Sequence, residues 1–307
     1  MFFMIDQFCL TSIMELNPAQ LDALVAIAES GSFDGAARAL HVTPSAISQR
    51  IRALETSAGQ VLVTRGTPCR VTGHGRRLVQ LGRQTRLLYE EAGRELRTAT
   101  SVAVAVAVNA DSLSTWFREV IAGVAGRRDT ALRLYVEDQA YSQDLLRSGD
   151  VLAAVTSDPA AVQGCTVEPL GALRYVPAAT PQFLDHWRRG RGFDWAAMPT
   201  LVFNDKDDLQ PELLRRRGIA QLPRVVHRIP SSADFYAAVL LGLGWAMVPS
   251  LQARDDLAAG RLQRLSRDVT DVPLFWQRWR LDSSALADLS ADVRAAARRA
   301  LRPPAAT

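Results

Sequence analysis

Ser45, Ser48, Gln49 and Arg52 stand within the run Thr43-Pro44-Ser45-Ala46-Ile47-Ser48-Gln49-Arg50-Ile51-Arg52. On a helix this spacing turns Ala46, Ile47, Ile51 and Leu54 to one face and leaves the serines, the glutamine and Arg52 on the exposed sides. Glutamine pairs bidentately with adenine, serine bonds either type of base, and arginine reaches guanine or phosphate. Such a surface suits the floor of a DNA major groove, although an unpartnered surface helix shows the same polarity. The surrounding charge favours the groove. Between Arg38 and Arg86 stand nine arginines, Arg50 among them, against one acidic residue, Glu55. That is the footprint of a protein that meets a polyanion. Arg65 and Arg70 flank Gly66-Thr67-Pro68 between two short β-like runs, where a basic wing would touch phosphates or the minor groove.

A second set of candidates lies in the C-terminal two thirds. Asn109-Ala110-Asp111-Ser112 and Ser231-Ser232-Ala233-Asp234 each open a helix, and free N–H groups at a helix start, together with serine hydroxyls, suit a carboxylate. Glu137, Asp138, Asp207 and Asp208 suit a cation, and Thr156 and Asn204, near strand ends, complete the set. Taken singly, each serine also reads as a plain N-cap and each acid as a solvated charge. Their joint placement on two facing lobes is what makes a site.

The elements that must position these groups are legible. Asn17 and Pro18 open a helix that ends at Gly31, a short alanine-rich helix follows from Phe33 to Leu40, and Thr43 caps a third, opened by Pro44 and ending near Gly59. Residues 75–98 read as one long amphipathic helix with Leu78, Leu81, Leu88, Ala92 and Leu96 on a stripe, which fits either packing against the preceding domain or a seam between two subunits. Beyond it the pattern changes to Val102–Val108, a continuous apolar run suited to a central parallel strand, and continues as β-α-β-α-β. A second such set follows before a last strand at 273–281 and a C-terminal helix from Ser283 to Leu301.

With 307 residues, 48% apolar and 22% charged, the chain has room for two domains. No stretch approaches the roughly 20 apolar residues of a membrane-spanning helix, so no membrane partner is expected. Residues 1–14 lack a basic start and a small-residue cleavage site, and read as an extension with Met14 as the expected natural start. Three scattered cysteines, Cys9, Cys69 and Cys165, support neither a disulfide scaffold nor a thiolate metal site, which fits a reducing, cytoplasmic compartment. Four histidines show no ligand spacing, and no phosphate-binding loop, nucleophile elbow or dinucleotide-binding glycine pattern is present, so neither an enzyme nor a cofactor is expected. Lys206 is the single lysine among 36 basic residues, a bias of genomic composition to which no function is assigned.

The run F-D-G-A-A-R-A-L-H-V-T-P-S-A-I-S-Q-R-I-R-A-L-E, with the wing and the T-x-x-G that follows, resembles the winged helix-turn-helix of LysR-type transcriptional regulators. The wing departs from the family's usual Phe-x-Arg pattern. N-A-D-S-L-x-T-W at 109–116, V-E-D at 136–138, L-G-A-L-x-Y at 170–175, F-x-x-x-D-D at 203–208 and S-S-x-x-F at 231–235 look like the family's lysine- and arginine-responsive (ArgP/LysG) branch, with Asn204 in place of an acid. The resemblance implies an α+β multidomain protein: a winged helix-turn-helix at 15–74, a linker and dimerisation helix at 75–99, and a two-lobed α/β effector domain at 100–307, similar to periplasmic binding proteins. Lobe I is expected at about 101–175 and 270–302, and lobe II at about 176–269. It further implies a homodimer or homotetramer on double-stranded operator DNA, RNA polymerase as a further partner, lysine or arginine as effector, and activation of a gene for an exporter of basic amino acids. A regulator of the same type that senses another small metabolite is the alternative; a solute-binding protein would explain the lobes but not the basic head.

Overall fold

The computed structural model describes residues 16–96, 101–136 and 139–303. The expected extension at 1–14 and the candidates Glu137 and Asp138 lie outside the described residues. The chain divides into two compact units, one of the N-terminal 99 residues and one formed by most of the remainder.

In the N-terminal unit, α1 (Pro18–Ser30), α2 (Phe33–Ala39) and α3 (Pro44–Ala58) pack around Leu24, Ile27, Ile47, Ile51 and Leu54. Each start is capped by a neighbouring side chain: Asn17 accepts from Ala19 N, Ser32 from Gly35 N and Thr43 from Ala46 N. The wing is the antiparallel pair β1 (Val63–Thr64) and β2 (Arg70–Val71), with Thr64 opposite Arg70. The Glu55 carboxylate fixes the wing's root by accepting from Leu62 N at 2.8 Å and Val63 N at 3.3 Å. Helix α4 (Gly73–Glu95) follows, and the T-x-x-G motif explains its start. Thr72 Oγ1 accepts from Gly75 N, and a β-carbon on Gly75 would collide with the Leu62 carbonyl. One face of α4 packs on α1 through Val79 and Gly82, and Arg86 pairs with Asp22 at 3.1 Å.

The C-terminal unit opens with β3 (Val102–Val108), flanked in parallel by β4 (Thr130–Val136) and β5 (Ala153–Thr156). The helical segment that begins after Asn109 is broken in two. It forms α5 (Ala110–Ser114), a turn, and α6 (Arg118–Ala125), because the chain leaves helical geometry at Thr115. Helix α7 (Gln139–Ser148) precedes β5. Strand β6 (Cys165–Ala179) is the longest of the sheet, and β13 (Thr270–Trp279) runs antiparallel to its part from Cys165 to Tyr175. Register shifts between Leu274 and Phe275, which face Gly171 and Pro169 respectively, so Leu170 bulges out. Gly171 sits there at φ 127, a conformation few side chains tolerate.

The bulge divides one continuous sheet. On one side β5 pairs with Phe275–Arg278; on the other β11 (Ala246–Pro249) and β12 (Gln263–Arg264) pair with β6. The second lobe also carries α8 (Pro181–His186), a small hairpin of β7 (Arg188–Arg189) and β8 (Gly192–Phe193), and the parallel pair β9 (Thr200–Val202) and β10 (Val226–Arg228). Helices α9 (Leu209–Arg216), α10 (Ser232–Leu240) and α11 (Ser250–Ala258) cover it, with Val239, Ala246, Val248 and Leu201 in its core. The C-terminal α12 (Ser284–Ala300) lies in the first lobe against α6. No helix among the described residues is long and apolar enough to cross a membrane.

Candidate nucleic-acid face and ligand cavity

Helix α3 buries Ile47, Ile51 and Leu54 and leaves Ser45, Gln49 and Arg52 exposed, with Ser48 and Arg50 half-buried at the margins. Ala46, expected on the inner face, is only half-buried. Thr43 and Pro44 are exposed at its start, where Thr43 Oγ1 meets Ser45 Oγ at 2.9 Å. Arg65 and Arg70 are exposed on the wing, and the Arg65 guanidinium lies 5.6 Å from the Phe33 ring centroid, which draws the wing towards α2. The helix start, its polar side and the wing arginines thus project from one small scaffold. Such an arrangement reads base edges with the short side chains and phosphates with the arginines.

In the C-terminal unit a cavity of about 570 Å³ opens between the lobes. Its floor is Asp111, which follows β3, and its far wall is the loop after β9, from Phe203 to Leu209. Both lie at strand C-terminal ends, where open α/β sheets bind their ligands. Tyr175, on β6, donates its hydroxyl to Asp111 Oδ2 at 2.7 Å, and Ser232 Oγ donates to Oδ1 at 3.0 Å. Burial pushes the Asp111 carboxyl above its ordinary value, and these two donors restrain the rise. The same burial, reinforced by the Asp111 charge, sends the Tyr175 hydroxyl well upward, so it remains a donor. Asp207 is turned inward by its backbone: Phe203 N donates to Oδ2 at 2.8 Å and Leu209 N to Oδ1 at 3.1 Å. Its carboxyl is also raised, by burial first and by repulsion from Asp111. Two acids in one desolvated cavity, each disfavouring the other's charge, leave a strong demand for a cationic guest.

The remaining candidates part company. Asn109, Asn204 and Asp208 line the cavity. Asn109 also caps α5 by accepting from Ser112 N at 2.8 Å, and Asp208 pairs with Arg215 at 2.7 Å. Four others do not line it. Ser112 is fully buried with its hydroxyl outside the cavity, and Thr156 is buried at the end of β5, where it accepts from Asp158 N. Ser231 and Asp234 cap the start of α10, the serine accepting from Asp234 N and donating to its carboxylate at 2.6 Å. The plain N-cap reading therefore describes Ser231, whereas its neighbour Ser232 faces the cavity. Sequence reasoning missed Tyr175, Lys206, Gln252 and Asp271, all of which line it. Asp271 forms a bidentate pair with Arg174 at 2.7 and 2.6 Å, which holds its carboxyl below the usual range. The one available signal was Lys206 itself, a lone lysine among acids in an arginine-rich chain.

Comparison with known proteins places both units. Residues 18–76 match the bacterial regulatory helix-turn-helix proteins of the lysR family, and residues 100–298 match the LysR substrate binding domain. The chain is 46% identical over 289 residues to the lysine export transcriptional regulatory protein LysG of Corynebacterium efficiens, covering 94% of this chain and 100% of the relative. Among solved structures it is similar to ArgP of Mycobacterium tuberculosis, with a TM-score of 0.84 and 43% identity, and to full-length LysG of Corynebacterium glutamicum with bound effector Arg, with a TM-score of 0.79 and 43% identity. Both alignments cover 94% of this chain and 100% of the other.

Proposed function

Because the chain belongs to the LysR family of bacterial transcriptional regulators, we propose that its α3 face and wing read an operator and that its cavity takes lysine, arginine or a closely related basic amino acid as the signal. The observation that carries the ligand class is the pair of buried acids, Asp111 and Asp207, facing one cavity. A cationic group placed between them relieves both the desolvation of the carboxylates and their mutual repulsion. The likeness to regulators named for lysine export and for a bound arginine supports the same reading.

On the DNA side, Ser45, Ser48, Gln49 and Arg52 contact bases, while Thr43, Pro44, Arg50, Arg65 and Arg70 set the register on the phosphates. Of the expected stripe, Leu81, Leu88, Ala92 and Leu96 are exposed on α4, whereas Leu78 packs on the core of the head together with Val79 and Gly82. Two different faces thus serve head packing and subunit pairing, and a dimer, or a tetramer of two such dimers, brings two α3 helices to half-sites about one helical turn apart. The regulated gene is an exporter of the sensed amino acid, activated in the cytoplasm through RNA polymerase. Calorimetry of the full-length protein with the common amino acids tests this: binding of arginine or lysine alone supports it, and binding of a different metabolite with none of these two transfers the cavity to another effector.

A further inference from the structure

We propose that Lys206 receives the carboxylate of the effector and so makes the cavity select an amino acid over the corresponding amine. The inference rests on the reading of the cavity as a basic amino acid site, and it concerns the end of the ligand that the buried acids cannot hold. A zwitterion with a cationic tail brings an anion as well, and among the described residues Lys206 is the only lysine or arginine lining the cavity. It is exposed, so it stands at the rim, opposite in character to the buried floor.

The neighbouring acids leave its ammonium uncommitted. Asp205 is paired with Arg228 at 2.8 Å, Asp208 with Arg215 at 2.7 Å, and Asp207 accepts two backbone N–H groups. The Lys206 ammonium instead lies 4.3 Å from the centroid of the Tyr141 ring, on α7 of the opposite lobe. An aromatic face steers a cation without neutralising it, so the charge remains ready for an anion. The two helix starts at the cavity are poorer hosts. Each already carries an acid in its first turn, Asp111 on α5 and Asp234 on α10, and each has one N–H taken by its cap, from Asn109 and Ser231. A second anion there would meet like charge.

The test is calorimetry of the full-length protein with arginine and with agmatine, which is arginine without its carboxylate. Lys206→Met is expected to weaken arginine by about 10- to 100-fold, the range of one charged hydrogen bond. Agmatine binding should be unchanged or tightened, because a positive charge is removed from an acidic cavity. Lys206→Arg should keep most of the arginine affinity. An equal loss for both ligands, or no loss for arginine, overturns the role of Lys206 while leaving the cavity's ligand class standing. Lysine and cadaverine form the parallel pair, and if the wild type binds neither arginine nor lysine, the reading of the cavity fails and this inference with it.

Discussion

Ser232 Oγ donates to Asp111 Oδ1 at 3.0 Å across 121 residues of sequence, joining the start of α10 in one lobe to the start of α5 in the other. With Tyr175 on the opposite oxygen, each carboxylate oxygen of Asp111 still has a lone pair for a guest. A cationic ligand can therefore share Asp111 with both donors. Asp111→Asn should abolish the thermal shift given by arginine, which for a ligand at 100 times its Kd is roughly 5–10 °C in a domain of this size. The ligand-free variant should melt no lower than wild type at pH 7, because burial disfavours the charged form of Asp111 and the amide carries no charge. Differential scanning fluorimetry reads both; a retained arginine shift removes Asp111 from the site.

The two raised carboxyls give a signed dependence on pH. Burial raises Asp111 and Asp207 above their ordinary 3.8, so the protonated form is favoured in the fold. Their stabilising contribution is full below 3.8 and is lost as pH rises through the raised values. A cationic ligand prefers the ionised form, so arginine affinity should increase with pH across that window and binding should release protons. Calorimetry in buffers of different ionisation enthalpy measures the number released, and proton uptake would contradict the arrangement.

On the head, base contact and phosphate contact separate experimentally. The double variant Ser48→Ala, Gln49→Ala should bind an operator fragment and an unrelated fragment nearly equally, each lost bidentate contact costing about 1–3 kcal/mol of discrimination. Arg65→Ala or Arg70→Ala should weaken binding to both fragments and lower the slope of log K against log salt by about 1. Electrophoretic shift titrations at several salt concentrations distinguish the two behaviours.

Glu55 offers a test of how the wing is held. Its carboxylate serves Leu62 N and Val63 N at the junction of α3 and β1. Glu55→Ala leaves two part-buried donors unmet and should cost about 1–3 kcal/mol of stability in the N-terminal unit, read by urea denaturation. Operator affinity should fall less in Glu55→Gln, which keeps an acceptor.

The exposed stripe of α4 predicts oligomeric state. Leu88→Asp should shift the protein towards monomers in light scattering without lowering the stability of the head, since Leu88 is exposed there. Val79→Ala, on the inner face, should do the reverse.

The head was readable from its residues because each boundary has a local chemical cause: Asn17 and Thr43 as caps, Pro18 and Pro44 at first positions, Gly31 and Gly59 at the ends. The cavity was read in part. Asp111 and Asp207 follow strands, and strand ends are visible in the apolar pattern. Tyr175 closes the L-G-A-L-x-Y run, but its reach to Asp111 follows only from the folded path of the long strand β6. Ser231 and Ser232 are alike in sequence; only the rotation of α10 decides that one caps the helix and the other faces Asp111. Sequence alone gives Lys206 no role, since nothing local places its ammonium over Tyr141.

The bulge at Leu170 gives the lobes a particular mechanical character. Strands β6 and β13 both run from one lobe to the other, so the lobes are joined by a two-strand ribbon whose ladder is interrupted at one register, between Leu274 and Phe275. A ribbon resists stretching and sideways shear, because either would break several backbone hydrogen bonds at once, yet it yields to torsion where the ladder is already broken. Any relative turn of the two lobes would be taken up by twisting at Gly171.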